Sequence, residues 1–158
     1  KFHTAAKIAP QPIRYSSPKA TRFGVIYFGS THPAMVESLE QLEAGGNHVN
    51  ALRVRSFPYS QAVEDFIHEH ERVFIVEQNR DAQMRTLLIN EGQFACDKLH
   101  SVLHFDGMPI TAHSISSACS QVAPVDSTPA AVHGPASAGS WCRARSKTMV
   151  VQLLVSVL

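Results

Sequence analysis

Several kinds of protein are excluded by what this sequence has little of. Its 14 basic residues face 13 acidic ones, so no charge excess exists to hold nucleic acid or an anionic membrane. The densest basic stretch, Arg143, Arg145 and Lys147, sits in a C-terminal segment of unusual composition. Cysteine is scarce: Cys96, Cys119 and Cys142 are an odd number at wide, irregular spacing. That pattern is neither a disulfide framework nor a CxxC metal pair, and it suits a reducing compartment. Long apolar runs are missing too. The most apolar stretch, Met149 to Leu158, is broken by Gln152 and Ser156 and is too short to span a bilayer. Lys1 to Arg22 has no continuous apolar core of the signal-peptide kind. The chain opens on Lys1 rather than Met, which points to processing or to a fragment.

What is present is a repeating α/β pattern. At 158 residues the chain has room for one domain with a proper core. Residues 1–21 read as a linker, with Pro10, Pro12 and Pro18 among serines and no sustained period. Phe23 to Phe28 is then an apolar run, Gly24 aside, that suits a strand buried on both faces. Ser30 or Thr31 is placed to cap a helix, with Pro33 in its first turn and Met35, Val36, Leu39 and Leu42 along one face. Gly45-Gly46 ends it.

The unit recurs. Val49 to Arg55 is a second strand, closed by Phe57-Pro58 and followed by a helix that Ser60 caps and Ala62, Val63, Phe66 and Ile67 face inward. Val73 to Val76 is a third, and Asp81 caps a helix with Met84, Leu87 and Leu88 inward and Gly92 at its end. Leu99 to Phe105 is a fourth, ended by Asp106-Gly107. Strands alternating with single helices imply parallel pairing through right-handed crossovers. The expectation is a Rossmann-like three-layer α/β domain with a mostly parallel sheet over residues 22–112, between an irregular linker and an irregular tail.

The tail, residues 113–158, changes character. Ser114 to Gly139 is dominated by Ala, Ser, Pro, Val and Gly, with Asp126 its only acidic residue. Such tracts bury too little surface to offset their ordering entropy. The segment reads as low-complexity sequence that is out of frame with the domain.

No complete catalytic or metal site emerges. The first strand–helix turn, Gly29-Ser30-Thr31-His32-Pro33, holds one glycine rather than GxGxxG, and the second strand ends in Arg53 and Arg55 without a ribose-binding carboxylate. Gly29, Ser30 and Thr31 remain a weak candidate for one phosphate at a helix N-terminus, beside the plainer reading of a tight turn and cap. The ends of the first and third strands lack the acidic residues of a phospho-receiver, and a flavin phosphate loop has only a partial echo. His68-Glu69-His70-Glu71 is not a metal motif, because helical positions i and i+2 point about 200° apart. It reads as a solvated last helical turn. His100 and His104 share strand parity with Val102 and read as structural. The richest stretch is Glu77-Gln78-Asn79-Arg80-Asp81-Ala82-Gln83, polar residues between a buried strand and a helix. Asn79 or Asp81 suffices as a cap, so Glu77, Gln78, Arg80 and Gln83, with Asn79, are candidates for an inter-domain or inter-subunit contact.

Four stretches in order carry a family resemblance: Gly24 to Thr31, Leu52 to Tyr59, Val76 to Gln83, and Leu103 to Gly107 with Pro109 to Ala112. Together they resemble the alpha subunit of 2-oxoacid:ferredoxin oxidoreductases, the 2-oxoglutarate branch above all, over about Ala5 to Ala112. The resemblance implies a transketolase C-terminal-like domain used for packing and assembly. It also implies a cytoplasmic parent enzyme that oxidatively decarboxylates a 2-oxoacid to its acyl-CoA and passes electrons to ferredoxin. Thiamine diphosphate, Mg2+, an iron–sulfur cluster and CoA belong to that parent complex, with the thiamine domains of the alpha subunit, the beta subunit and ferredoxin as partners. None of these cofactors is expected on this chain alone. The sequence departs from relatives at Ala82, where many carry Gly, and after Ala112, where an Arg-Phe-Ile helix gives way to His113-Ser114-Ile115. A shift of reading frame near residue 113 would produce such a tail. The competing reading is a free-standing α/β module that binds a phosphorylated ligand at Gly29-Ser30-Thr31.

Overall fold

The computed structural model describes residues 2–92 and 94–122. Its sheet has five strands in the order β1-β3-β2-β4-β5: β1 (Ile13–Tyr15), β2 (Phe23–Phe28), β3 (Asn50–Val54), β4 (Arg72–Glu77) and β5 (Leu99–Leu103). The last four pair in parallel, while β1 runs antiparallel along the outer edge of β3. The helices are α1 (Phe2–Ile8), α2 (His32–Ala44), α3 (Gln61–Glu69), α4 (Gln83–Gly92) and α5 (Ala112–Val122), and Gly29–Thr31 forms a 3-10 turn leading into α2.

Strand alternation sorts the core into two layers. Ile26, Leu52, Val54, Val73, Ile75 and Leu99 pack against Val63, Phe66 and Ile67 of α3 and Met84 and Leu88 of α4. Val25, Tyr27, Val49, Ala51, Phe74 and Val76 face Met35 and Leu42 of α2 and Ile115 and Cys119 of α5. The three-layer architecture expected from the repeating pattern is therefore present. Gly24 has a steric reason: a Cβ there would lie 2.7 Å from Phe66 Cε1, so glycine lets α3 sit down on β2. Gly45 and Gly46 close α2 through amides donated to Gln41 and Glu43, with Gly46 at φ +78°.

Both flanks of the expected domain are revised. Residues 1–21 contain α1 and the strand β1, so the linker reading fails for residues 13–15, which complete the sheet edge. Three residues are too few to show a period, and their ladder partners lie far along the chain. The domain also runs past residue 112. Ala112, Ile115, Ser116 and Cys119 fall at i, i+3, i+4 and i+7 and are all buried, the stripe of an amphipathic helix. The small Ala112, Ser116 and Cys119 let α5 lie close to α2, where Ser116 Oγ donates to Gln41 Oε1 at 2.8 Å. The out-of-frame reading therefore finds no support in residues 113–122; from residue 123 onward it falls outside the described residues.

Candidate functional site

In a sheet of this order the chain leaves β2 in one direction and β4 in the other, which opens a crevice at their carboxyl ends. The loops meeting there are Gly29–Thr31, residues 78–82 and the β5–α5 connection. Gln78 occupies the crevice. Its Nε2 donates to Ser30 Oγ at 3.2 Å and to Thr31 Oγ1 at 3.1 Å, while its Oε1 accepts from Ile110 N at 3.5 Å. The three loops are thereby stitched together by one side chain.

That stitching changes the meaning of the Gly29-Ser30-Thr31 turn. Neither hydroxyl caps α2, contrary to expectation; both accept from Gln78, and Thr31 is buried. Gly29, at φ +59°, supplies the left-handed residue the turn needs. The phosphate reading thus meets hydroxyls already engaged.

Glu77 departs furthest from expectation. It was a contact candidate, yet it is wholly buried. Its Oε2 accepts from Met84 N at 2.7 Å and Asn79 Nδ2 at 2.8 Å, and its Oε1 accepts from Arg85 N at 3.0 Å. A carboxylate on the first amides of α4 satisfies orphan donors and meets the positive end of the helix dipole. Glu77, not Asp81, is therefore the charged cap. Asn79 assists, its Oδ1 accepting from Asp81 N at 3.1 Å and Gln83 N at 3.4 Å. Arg80 and Gln83 are exposed, and the Arg80–Asp81 ion pair is a surface one. These two keep their place as contact candidates; Glu77 and Asn79 do not.

The β5–α5 loop is braced from within. His104 N donates to Glu77 O, and His104 Nε2 lies 2.7 Å from Met108 O and 3.0 Å from Asp106 Oδ1. Both neighbours accept, so Nε2 carries the proton. The loop nevertheless holds Phe105 and Met108 out to solvent, at 61% and 69% exposure, and Phe28 at the end of β2 is 39% exposed. Sequence reasoning passed over these apolar residues: Phe28 and Phe105 read as the last residues of apolar strands, whereas the structure ends β5 at Leu103, and Met108, beyond the Asp106-Gly107 turn, was the one whose loop position was legible.

Other groups are structural. Tyr27 is buried with its hydroxyl 3.0 Å from His32 Nδ1, and burial first, then Tyr15, raises its pKa well above the ordinary tyrosine value. Tyr59 is raised likewise by burial, with Glu77 and Glu91 adding to it. Ser60 precedes α3, yet its hydroxyl makes no cap bond. In the His68–Glu71 turn only His68, Glu69 and Glu71 are solvated; His70 is buried, which corrects the reading of that turn. Cys119 is a buried free thiol whose pKa burial pushes up to about 12. Among the described residues no three or more His, Cys, Asp or Glu side chains are grouped to hold a metal ion. No helix among the described residues is long and apolar enough to cross a membrane.

Sheet order, layering and the position of the loops define a three-layer α/β domain of the transketolase C-terminal kind. Two solved structures agree in fold. A 2-oxoglutarate:ferredoxin oxidoreductase from Magnetococcus marinus, solved with 2-oxoglutarate, coenzyme A and succinyl-CoA bound, superimposes with a TM-score of 0.67 and 19% identity, over 75% of this chain and 21% of that one. A split-gene transketolase, described as an inactive beta4 tetramer, matches with a TM-score of 0.51 and 17% identity, over 66% of this chain and 39% of that one. The alpha chain of a probable 2-oxoacid ferredoxin oxidoreductase from Thermoplasma acidophilum overlaps more loosely, with a TM-score of 0.47, 18% identity and coverage of 71% of this chain and 96% of that one. At these identities the likeness is one of fold. The chain spans well under half the length of the first two proteins. No family model matches the sequence, and no curated protein does.

Proposed function

We propose that this chain is the assembly domain of the alpha subunit of a 2-oxoacid:ferredoxin oxidoreductase, with 2-oxoglutarate as the oxoacid. The observation that carries this reading is the superposition on the 2-oxoglutarate enzyme over 75% of the chain, coming from the family whose motifs the sequence resembles. In this reading thiamine diphosphate, Mg2+, the iron–sulfur cluster and CoA are held by the rest of the complex. The chain supplies a rigid sheet whose carboxyl-edge loops meet the remainder of the alpha subunit or the beta subunit. Gln78 sets the shape of that edge, and the exposed Arg80, Gln83, Phe105 and Met108 are the contacts it presents.

The test is reconstitution. The chain is combined with the thiamine-domain portion of an alpha subunit and a beta subunit, and oxoacid-dependent ferredoxin reduction is followed. Activity that needs all parts, and an Arg80→Ala/Met108→Ser variant that assembles less well while keeping its melting temperature, support the reading. Oxoacid-dependent electron transfer by this chain alone, or unimpaired assembly of the variant, would overturn it. A cytoplasmic location belongs to the same proposal. Thiol labelling of the chain from cells, with and without prior reduction, tests it: cysteines found oxidised in the cell would contradict a reducing compartment.

A further inference from the structure

The buried histidine at the end of α3 belongs to a hydrogen-bond chain that crosses three segments. His70 Nδ1 lies 2.6 Å from Phe66 O, His70 Nε2 lies 2.8 Å from Asn50 Nδ2, and Asn50 Oδ1 accepts from Ser17 N at 3.0 Å. Each end of this chain is a backbone group with one possible role. Phe66 O can only accept, so Nδ1 carries the imidazole proton; Ser17 N–H can only donate, so Oδ1 of Asn50 faces it. The amide nitrogen of Asn50 then donates to an unprotonated Nε2. The tautomer and the amide orientation follow from chemistry at both ends.

A second proton on His70 cannot be accommodated. Nε2–H would face the Asn50 amide nitrogen, two donors without an acceptor. Turning the amide over moves the conflict to Ser17, whose N–H would then face Nδ2. Neither orientation satisfies all three groups, and a buried donor without a partner is costly. Steric room is equally short, because a Cβ at Gly24 would come within 3.1 Å of His70 Cγ.

The charged groups around the chain come from several elements. Arg14 of β1 pairs with Glu69 at 2.7 Å and lies over the Phe66 ring, Arg22 pairs with Glu71 at 3.3 Å, and Lys98 stands before β5. Ser17 Oγ also reaches His48 Nδ1 at 3.4 Å, and Thr21 Oγ1 donates to His48 O. Arg14 and Lys98 oppose a proton on His70, and Glu69 favours it. Beside Ser17 the arm pairs with the sheet through three ladder residues, Ile13 to Tyr15, and it is tied further by Arg14 to Glu69, Thr21 to His48 and Pro10 to Ser56.

We propose that Ser17, Asn50, His70 and the Phe66 carbonyl form a proton-sensitive latch: neutral His70 fastens the N-terminal arm to β3, and protonation of His70 releases it. The inference is independent of the proposed function. Release frees the arm locally and leaves the parallel strands intact.

The experiment follows amide hydrogen exchange and the His70 imidazole nitrogens by NMR on the full chain, from pH 8 downward until His70 titrates or the domain unfolds. At pH 8 His70 is expected as the Nδ1–H tautomer. As it titrates, the protection factor of Ser17 falls at least tenfold while those of Val25 and Ile26 hold. In Asn50→Leu, Ser17 is expected to be unprotected at every pH. The Nε2–H tautomer at pH 8, Ser17 protection that stays level through the titration, or loss of all protection together before Ser17 opens would each overturn the latch. The wild-type measurement decides even if Asn50→Leu does not fold.

Discussion

The carboxylate of Glu77, the last residue of β4, accepts the backbone amide of Met84 in the first turn of α4 at 2.7 Å. Strand end and helix start are tied across seven positions, and the residues between them form a closed loop around a buried charge. Replacing Glu77 with Ala leaves the Met84 and Arg85 amides without this acceptor. We expect a loss of about 2 kcal/mol or more, from the combined cost of a lost cap and buried donors. A urea-unfolding midpoint within error of wild type would contradict this account of the loop.

Ala82 lies inside that loop at φ +48°, where a Cβ is crowded by its own backbone. The departure noted at this position, mild in sequence, acquires a steric meaning here. Ala82→Gly relieves a penalty of about 1–2 kcal/mol and adds an entropic cost of roughly 0.5–1 kcal/mol. The expected net result is a small rise in thermal midpoint, measured by calorimetry. A fall would show that the left-handed conformation is not strained.

Helix α5 is expected to contribute to stability through Ile115, which is fully buried beside α2 and the sheet. Ile115→Ala should cost about 2–5 kcal/mol, the range for buried aliphatic truncation. The exposed neighbour His113 serves as control, with His113→Ala expected to change stability by about 0.5 kcal/mol or less. Equal, negligible effects of both changes in denaturant unfolding would mean that residues 113–122 do not pack as described.

Acid should weaken the domain through His70. Burial holds its pKa below the ordinary histidine value, and Arg14 and Lys98 add to that, against the Phe66 hydrogen bond and Glu69. An unfolded-chain histidine titrates near about 6.5, so above that pH both states are neutral at this residue and its contribution is complete. As pH falls below about 6.5 the unfolded chain takes up the proton first, and stability declines until folded His70 is also protonated. His100, lowered by burial with Arg72 and Arg85, acts in the same direction. Unfolding midpoints at pH 8 and pH 5.5 should differ more in wild type than in His70→Gln.

The parallel strands and the helices between them were readable because their causes are local. Phe23 to Phe28 is bounded by a glycine turn, and Val63, Phe66 and Ile67 repeat at helical spacing, so each segment carries its own period. The weakly stated ends were harder. Ile13 to Tyr15 has no period, and its strand character comes from an edge offered by β3. In α5 the stripe Ala112, Ile115, Ser116 and Cys119 was present in the sequence, but Ser and Ala composition concealed it.

The contact candidates divide along the same line. Composition alone determined that residues 77–83 form a polar junction between a buried strand and a helix, and that one member caps the helix. Which members turn inward was decided by the tertiary structure. Glu77 ends β4 with its side chain on the face that α4 covers, so its carboxylate meets the α4 amides and is buried. Gln78, one residue on, turns toward the loop that follows β2, 47 positions back in sequence at Thr31. Sequence spacing holds no record of that adjacency, because the pairing of β2 with β4 brings the two loops together only once the sheet has formed.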